Sequence, residues 1–557
     1  MQDRNRETSA ARTFHNATKY VAVRDEAGEE QFLMGTPPDL ENPIWQEDWS
    51  LEPFAFKVYE TLPPLALPRE FPPSTLPALE AIARTGAVPQ GEAVPDRAAL
   101  ARIGLLSNGL LNRQRTSQSG MTIEFRTAGG TGARYHLEVY FVCGDLPDLE
   151  AGVYHYAARD HSLRQLRAGD YRAALVEATG GEPSVASAPV VLALTSTFWR
   201  NAWRYKGRAY RHTFWDAGTS LANALAVAAS AELPTRLVLG YADAQVNALL
   251  GVDGVREATV ALCALGRTAG TAPPAPPLTR LDHPTRAISP REVEFPVIPM
   301  MHGVSSLASG AEAAAWRAEP LRRTPPEPRG ELFPLRPLPD DQLSPAPIEE
   351  IIFRRRSTRH YDTETPIPFE AFSTLLDRSS RGVATDCLAP DAPPLHDAYL
   401  IVNGVEGLAP GVYLHHPRRR AVELLREGDF RRHAQRLAVE QGYAADAHVN
   451  VYYLTDLEAV LARYGNRGYR LAQLECALFA GKLHLGTHAL GLGAVGSTSL
   501  DGEVEEFFAP PRGTLCIGSA VLPSLVPATP SPRLAAALDR PGVERAVAAL
   551  AVGAGGA

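Results

Sequence analysis

The chain repeats itself, and this repeat constrains the fold more than any other feature of the sequence. One offset of 259 positions relates residues of the first half to identical residues of the second half. A single offset that persists over such a stretch indicates a tandem duplication. The matched positions are Tyr140 and Tyr399, Gly152–Tyr154 and Gly411–Tyr413, Arg204-Tyr205 and Arg463-Tyr464, Arg208 and Arg467, and Tyr210-Arg211 and Tyr469-Arg470. The sequence therefore predicts two like domains, so that the chain carries its own dimer.

Each copy mixes strand-like and helix-like patterns. Apolar runs typical of strands occupy residues 138–142, 190–194 and 259–264, and a long apolar helix fits residues 215–231. Such a mixture predicts an α+β sandwich with helices on both sides of a sheet. A chain of 557 residues is long enough for two such domains.

The expected division of the chain has five parts. The segment 268–347 carries 17 of the 47 prolines, so it is predicted to run as an extended, semi-rigid connection. The five parts are an N-terminal arm (1–78), a first domain (79–267), the proline-rich linker (268–347), a second domain (348–525) and an Ala/Gly/Pro-rich tail (526–557). Below, "first half" and "second half" mean the two domains.

Composition excludes several classes of function. The net charge of −8 argues against a nucleic-acid binder, because no domain is strongly basic. No apolar run is as long as a signal or membrane segment, so a cytoplasmic protein without a membrane partner is expected. The five cysteines are odd in number and widely spaced, as buried free thiols of a reducing compartment are. The histidines show no metal-ligand spacing, and no metal site is predicted.

A run of basic residues opens the second half. Apolar residues of 348–353 recur at helical spacing, so Arg355, Arg356, Ser357 and Arg359 fall at the end of an amphipathic helix and just beyond it. Forked guanidinium donors with a hydroxyl match the oxygens of a phosphomonoester. The alternative interpretation is a solvated basic surface.

Two glycine-rich stretches are candidate ligand contacts. Gly129, Gly130, Thr131 and Gly132 precede a predicted strand but lack the Lys-Ser/Thr of a phosphate loop, and a plain turn is the alternative. The second stretch, 491–496, matches G-x-G-x-x-G. It follows a predicted helix, whereas a dinucleotide fingerprint follows a strand, so a Rossmann site is not favoured.

Residues Arg355–Arg359, followed by Tyr361, resemble the flavin-phosphate motif that opens nitroreductase-fold domains. Three further stretches resemble the SagB/ThcOx branch, the azoline dehydrogenases of peptide natural-product pathways. Residues 125–137 resemble its Pro-Ser-Ala-Gly-x-x-Tyr-Pro stretch, with departures at Gly129, Thr131 and His136. Residues 203–211 and 463–470 resemble its Lys-Tyr-Gly-x-Arg-Gly-Tyr-Arg signature, with arginine in place of lysine.

The resemblance implies FMN bound at a dimer interface. In the family, arginines of one subunit hold the phosphate, and the small-residue turn of the other subunit contacts the same flavin. It also implies that Gly493, Ala494, Gly496 and Ser497 lie beside the flavin ring and that Arg204 and Tyr205 lie over it as the catalytic pair.

The two halves have lost complementary parts of this arrangement. The first half has no arginine run around residues 67–75, and the second half has no glycine turn at residues 387–396. The resemblance therefore implies one intact FMN site, made by the arginines of the second half and the turn of the first half, and one degenerate site.

The expected activity is FMN-dependent dehydrogenation of a thiazoline, an oxazoline or a related peptide-like substrate. Such a reaction needs a base or a group that polarises the ring nitrogen, and arginine stays protonated, so Arg204 cannot be the base. Two alternatives stay open: an NAD(P)H-dependent reductase of nitro compounds or quinones, and a flavin-free scaffold that binds peptides. The expected partner is a small molecule or a modified peptide; the chain is expected to form an intrachain pseudo-dimer, and both a monomer and a further association of chains stay open.

Overall fold

The computed structural model describes residues 4–24, 28, 30–34, 47–508, 514–516 and 526–527. Among the described residues, each half forms most of one antiparallel sheet: one edge strand from the arm completes a sheet of seven strands with the first half, and one edge strand from the linker completes a sheet of six with the second half. In spatial order the first sheet consists of Thr235–Val238, Glu257–Leu265, Val190–Thr197, Leu137–Cys143, Gly152–Ala157, Ser162–Ala168 and Leu65–Ala66. The second consists of Glu331–Pro334, Ala421–Glu427, Gly411–His416, His396–Val402, Val449–Asp456 and Thr514–Cys516. Four strands of each sheet begin at positions 259 apart, as the repeat predicts.

Both sheets are covered on both faces. In the second sheet, Leu400 and Val402 pack against Phe372 and Ala480 on one side. Tyr399, Ile401 and Val412 pack against Ala434, Leu437, Val504 and Phe508 on the other. Side chains alternate between the two faces of a strand, so one run of apolar residues supplies both cores. The predicted α+β sandwich in two copies is the observed architecture.

Two long helices, Ala209–Ser230 and Arg467–Ala489, cross at the centre of the molecule and join the halves. Two glycines permit the approach: a Cβ at Gly218 would lie 2.6 Å from the Cβ of Ala477, and a Cβ at Gly481 would lie 2.8 Å from that of Ala222. The offset of 259 relates Gly218 to Ala477 and Ala222 to Gly481, so the crossing is symmetric. Both helices are buried on nearly all sides, so the interface between the two halves is packed like the hydrophobic core of a single domain.

The shorter elements lie around these sheets and helices. The other α-helices are Ser9–Ala17, Ala78–Ala83, Arg97–Asn108, Arg172–Ala178, Pro183–Ser187, Trp199–Tyr205, Asp243–Leu250, Val297–Val304, Gly310–Arg317, Ile348–Arg354, Phe369–Ser380, Arg431–Leu437, Tyr443–Asp446, Leu457–Tyr464 and Asp501–Phe508. Three two-stranded pairs are Tyr20–Arg24 with Glu30–Met34, Leu110–Thr116 with Thr122–Arg126, and Leu492–Gly493 with Val526–Pro527. Within the described part of the chain, no helix is both long and apolar enough to cross a bilayer.

The prediction of an extended linker at 268–347 is wrong in part. Helices Val297–Val304 and Gly310–Arg317 form within it, and Glu331–Pro334 adds an edge strand to the second sheet. Stretches between the prolines carry enough apolar residues to bury one face, as Met301 and Trp316 show. Most of the predicted tail at 526–557 lies outside the described residues.

Candidate functional site

The arginine run begins where the helix Ile348–Arg354 ends. Ile348, Ile351 and Ile352 anchor that helix in the core, and its end directs the following residues to the boundary between the halves. Arg355 is buried, and its Nε donates to the carbonyl oxygen of Thr127 in the first half at 3.2 Å. Arg356, Ser357 and Arg359 are exposed. The run thus places the guanidinium group of Arg355 inside the interface between the halves and those of Arg356 and Arg359 at its solvent-exposed edge.

A fourth arginine, Arg113 of the first half, joins this group. Its Nη2 donates to the carbonyl of Phe353 at 2.8 Å, and its buried Nε has no partner among the described residues. Burial lowers the pKa of Arg355, and burial together with the charge of Arg356 lowers the pKa of Arg113. Sequence reasoning missed Arg113 because no motif marks it; only the pairing of Leu110–Thr116 with Thr122–Arg126 brings it here.

These four side chains, Arg113, Arg355, Arg356 and Arg359, are called the arginine cluster below. None of them takes part in an ion pair with a carboxylate of the described residues, whereas their neighbour Arg354 pairs with Glu350 at 2.8 Å. Cations that repel one another without a carboxylate between them form a site for an anion.

The glycine turn of the first half, Gly129–Gly132, lies against the arginine cluster. A Cβ at Gly129 would lie 3.5 Å from Nη1 of Arg355. Asp216 on the first long helix holds the turn: it accepts hydrogen bonds from the backbone nitrogen of Thr131 at 2.8 Å and from its Oγ1 at 2.7 Å. Nε2 of His136 also lies 2.9 Å from this carboxylate. The turn predicted as a cofactor contact therefore belongs to the same region as the arginines.

The other end of the glycine turn meets Tyr205. Gly132 has φ +64°, and a Cβ there would lie 2.5 Å from the hydroxyl oxygen of Tyr205, so both backbone and space require glycine. The ring of Tyr205 meets that of His212 edge-on at 4.7 Å. Burial raises the pKa of Tyr205 to about 12, so its hydroxyl stays protonated at neutral pH and donates hydrogen bonds.

Arg204, predicted to act with Tyr205, points elsewhere. It is part-exposed, and its Nη1 lies 3.6 Å from Oε2 of Glu47. The structure therefore brings Tyr205 to the glycine turn without Arg204.

The second glycine stretch lies beside the arginine run. The carbonyl of Ala494 accepts a hydrogen bond from the Thr358 nitrogen at 3.0 Å, and Ser357 and Ala494 form an isolated parallel β-bridge. Ser497 is buried, and its Oγ accepts from the hydroxyl of Tyr443 at 2.6 Å. Gly493 lies in a strand one residue before Ala494, and Gly496 is exposed. The stretch follows the helix that ends at Ala489, which agrees with the rejection of a Rossmann site.

Two histidines of the second long helix fix the backbone of the run. Nε2 of His484 donates to the Arg356 carbonyl at 3.2 Å, and Nε2 of His488 accepts from the Arg356 nitrogen at 3.3 Å. Burial lowers the pKa of His484 well below its usual value and that of His488 to about 4. Both imidazoles are therefore neutral and leave the positive charge of the site to the arginines.

The pseudo-symmetric counterpart of the arginine run is not where the sequence placed it. The helices Ala78–Ala83 and Ile348–Arg354 start side by side at a bridge between Pro77 and Pro347, so the counterpart of the run 355–359 is residues 85–89 and not 67–75. Arg69, inside the predicted stretch, donates to the carbonyl of Asp160 instead. The arginine run is missing there, since residues 85–89 are Thr, Gly, Ala, Val and Pro.

The counterpart site, called the closed site below, is filled by the chain itself. The carboxylate of Asp386 accepts hydrogen bonds from the nitrogens of Leu239 at 3.0 Å and Gly240 at 2.9 Å. The hydroxyl of Tyr464 donates to the Cys387 carbonyl at 2.7 Å and accepts from the Leu321 nitrogen at 2.9 Å. These contacts lie at and next to the start of residues 387–396, the stretch in which the sequence has no glycine turn.

The remaining arginines of the repeated signature bind the halves together. Arg467 and Arg470 of the second half both pair with Asp243 of the first half at 2.6 Å. Reciprocally, Arg208 and Arg211 pair with Asp501 at 3.0 and 3.4 Å. All six side chains are buried. These arginines act in packing and ion pairing.

The nitroreductase family matches residues 128–267 and 352–512, which are the two copies of the repeat. The chain belongs to the nitroreductase family.

Individual relatives match shorter stretches. A protein of Methanocaldococcus jannaschii named as a nitroreductase is 29% identical over 175 residues, which cover 30% of this chain and 86% of that protein. The trifolitoxin-processing protein TfxB of Rhizobium leguminosarum bv. trifolii is 34% identical over 134 residues, 23% of this chain and only 36% of that protein.

One solved structure resembles the whole chain. A nitroreductase-like protein of Anabaena variabilis has a TM-score of 0.70 at 24% sequence identity and covers 94% of this chain and 100% of that one. This likeness confirms the predicted fold of two fused nitroreductase-like domains.

Proposed function

We propose that the chain is an FMN-dependent oxidoreductase that binds one flavin between its halves. The observation that carries the proposal is the arginine cluster, which faces no carboxylate of the described residues and lies against the glycine turn of the other half. Arg355, Arg356 and Arg359, with the hydroxyl of Ser357, would hold the phosphate. Forked donors and a neutral hydroxyl suit a phosphomonoester of double charge.

The residues present fit a flavin in three respects. The buried Nε of Arg113 is a donor without a partner in the described chain, next to the expected phosphate. Gly129–Gly132 and Gly493–Ser497 offer small residues from both halves, which lets backbone approach a flat ring. The closed site lacks both the arginines and the glycine turn. When bound, FMN supplies the transfer of a hydride.

Tyr205 is the residue we assign to proton handling. Its hydroxyl lies beside Gly132 and is protonated at neutral pH, so it donates a hydrogen bond or a proton to a substrate and does not remove one as a base. It can thereby polarise a ring nitrogen or protonate a reduced oxygen. Arg204, which lies beside Glu47, is given no part in this proton transfer.

A peptide-derived heterocycle is the substrate we propose. The likeness to a trifolitoxin-processing protein supports a role in peptide maturation, and polarisation of an azoline nitrogen is within the reach of a protonated tyrosine. A reductase of nitro compounds or quinones is the second candidate. The hydroxyl of Tyr205 suits this reaction as well, because it stays protonated and can donate a hydrogen bond to an oxygen of a nitro group or a quinone.

The test is an absorbance spectrum of the purified protein with flavin and protein concentrations measured on one sample. One FMN per chain is expected. Two per chain would contradict the closed site, and a colourless protein that takes up no added FMN would favour the flavin-free scaffold. Anaerobic NADPH then separates the two enzymes: rapid bleaching identifies the reductase, and its absence, with reoxidation by dioxygen after substrate turnover, identifies the dehydrogenase.

A further inference from the structure

A cavity of about 330 Å³ lies in the second half, away from the arginine cluster. Its wall consists of Leu376, His396, His415, Tyr453, Phe479 and Leu483, on the sheet and on the two helices that cover this face. Prolines 325, 326, 393, 394 and 417 surround it. A volume in the range of about 300–1,000 Å³ with an apolar wall and few polar groups is typical of sites for small molecules.

The first half has no such polar wall at the equivalent positions. The offset of 259 relates His396 to Leu137, His415 to Tyr156, and Tyr453 to Leu194. Tyr156 is fully buried, packs against Gly104 and donates its hydroxyl to Nδ1 of His161 at 2.9 Å. The first half therefore shows that the fold packs without the two histidines, His396 and His415.

The histidines of the cavity are placed for binding. His396 is fixed by Oε2 of Glu475 at 2.8 Å from its Nδ1, and T-shaped contacts hold it between the rings of Tyr453 and Phe479. Only 4% of His415 is exposed, and its Nε2 has no hydrogen-bond partner in the described chain. A buried polar atom without a partner is costly, and a ligand that bonds to it removes that cost.

The mouth of the cavity carries a net positive charge. Arg323 pairs with Asp397 and Arg419 pairs with Glu327, but Arg418 contacts only the carbonyl of Asp391 and no carboxylate of the described residues. An anionic group at the mouth would therefore meet a guanidinium whose charge is not already neutralised.

We infer that this cavity is a second binding site, specific to the second half, for a small aromatic carboxylic acid. The ring lies among Phe479, Tyr453 and Leu483, a polar substituent or π-face meets His415, and the carboxylate faces Arg418. The site is independent of the flavin site and carries no reaction.

Hydrocinnamate and its neutral amide are the probes, added to protein saturated with FMN so that the arginine cluster is blocked. Binding is followed by calorimetry and by saturation-transfer NMR. His415→Tyr, which copies the residue of the first half, should abolish binding of both probes while leaving flavin content unchanged. Arg418→Ala should weaken the carboxylate about tenfold, a loss of one charged hydrogen bond, and leave the amide unchanged.

Tyr156→Phe in the first half is the matched control and should leave binding as it is. Absence of detectable binding of hydrocinnamate at millimolar concentration would overturn the inference, as would unchanged binding in His415→Tyr. If His415→Tyr does not fold, Arg418→Ala decides, since it changes an exposed residue; equal affinity for hydrocinnamate before and after that substitution would refute the site.

Discussion

The two pseudo-symmetric sites at the interface belong to the two copies of the repeat, but their side chains make different contacts. In one, the carbonyl of Thr127 accepts from Arg355, and the glycine turn that follows lies against the arginine cluster. In the other, the carboxylate of Asp386 accepts hydrogen bonds from the backbone of Leu239 and Gly240, and the hydroxyl of Tyr464 donates to the carbonyl of Cys387. The duplicated chain therefore keeps the interface between its two halves, while the side chains at its two pseudo-symmetric sites make different contacts.

The largest effect is expected from the arginine cluster. Arg355→Ala with Arg359→Ala removes two charged hydrogen bonds to the proposed phosphate, each worth on the order of 1.5–3 kcal/mol, so FMN affinity should fall about 10²–10⁴-fold. Flavin retained after desalting measures it. Arg84→Ala, at the first-half position that corresponds to Arg354, is the control and should retain FMN. If both variants lost FMN to the same degree, the assignment of the flavin site to the arginine cluster would be wrong.

The next effect concerns turnover at constant flavin content. Tyr205→Phe keeps the ring against Gly132 and removes the hydroxyl, so turnover should drop by about 10²–10⁴-fold if that hydroxyl transfers a proton in the transition state. The rate is measured on protein of equal FMN occupancy. If turnover were unchanged, the Tyr205 hydroxyl would have no part in the proposed mechanism, and the proposal would be limited to the binding of FMN.

Where the halves are alike, substitutions should act alike. Burial opposes ionisation of Asp243 and Asp501, but the two arginines beside each outweigh it, and both pKa values fall to about 2. A lowered folded pKa means that stability is present above about pH 4 and is lost as pH falls towards 2. Each carboxylate should contribute about 2 kcal/mol at neutral pH.

Urea unfolding at pH 7, 4 and 3 checks this expectation. The free energy of unfolding should decrease on acidification, and Asp243→Asn and Asp501→Asn should each flatten that dependence to the same degree. A flat profile in one variant and an unchanged profile in the other would show that the interface is not symmetric in energy.

The sequence predicted the parts of the site that local motifs carry. The duplication, the arginine run and the glycine turn could all be recognised in the sequence. The sequence also showed that the first half lacks the arginine run and the second half lacks the glycine turn. Arg113 was not, because its position depends on the register of a strand pair. The counterpart of the arginine run was misplaced since the offset of 259 does not hold before the first strand of the repeat, where Pro77 faces Pro347. The helices at 297–304 and 310–317 were missed because proline content outweighed short apolar stretches in the prediction.

The smallest effect separates structure from chemistry in the closed site. Tyr464→Phe deletes a buried hydroxyl that donates to the Cys387 carbonyl and accepts from the Leu321 nitrogen, and both groups then lose a partner. Stability should decrease by about 1–3 kcal/mol, the usual cost of leaving a buried polar group unpaired. Turnover per bound flavin should stay within a factor of about two, because the hydroxyl takes part in no step of the other site. Thermal unfolding and activity are measured on one preparation. A large loss of turnover with unchanged stability would mean that the closed site is the active one and that the roles of Tyr205 and Tyr464 are reversed.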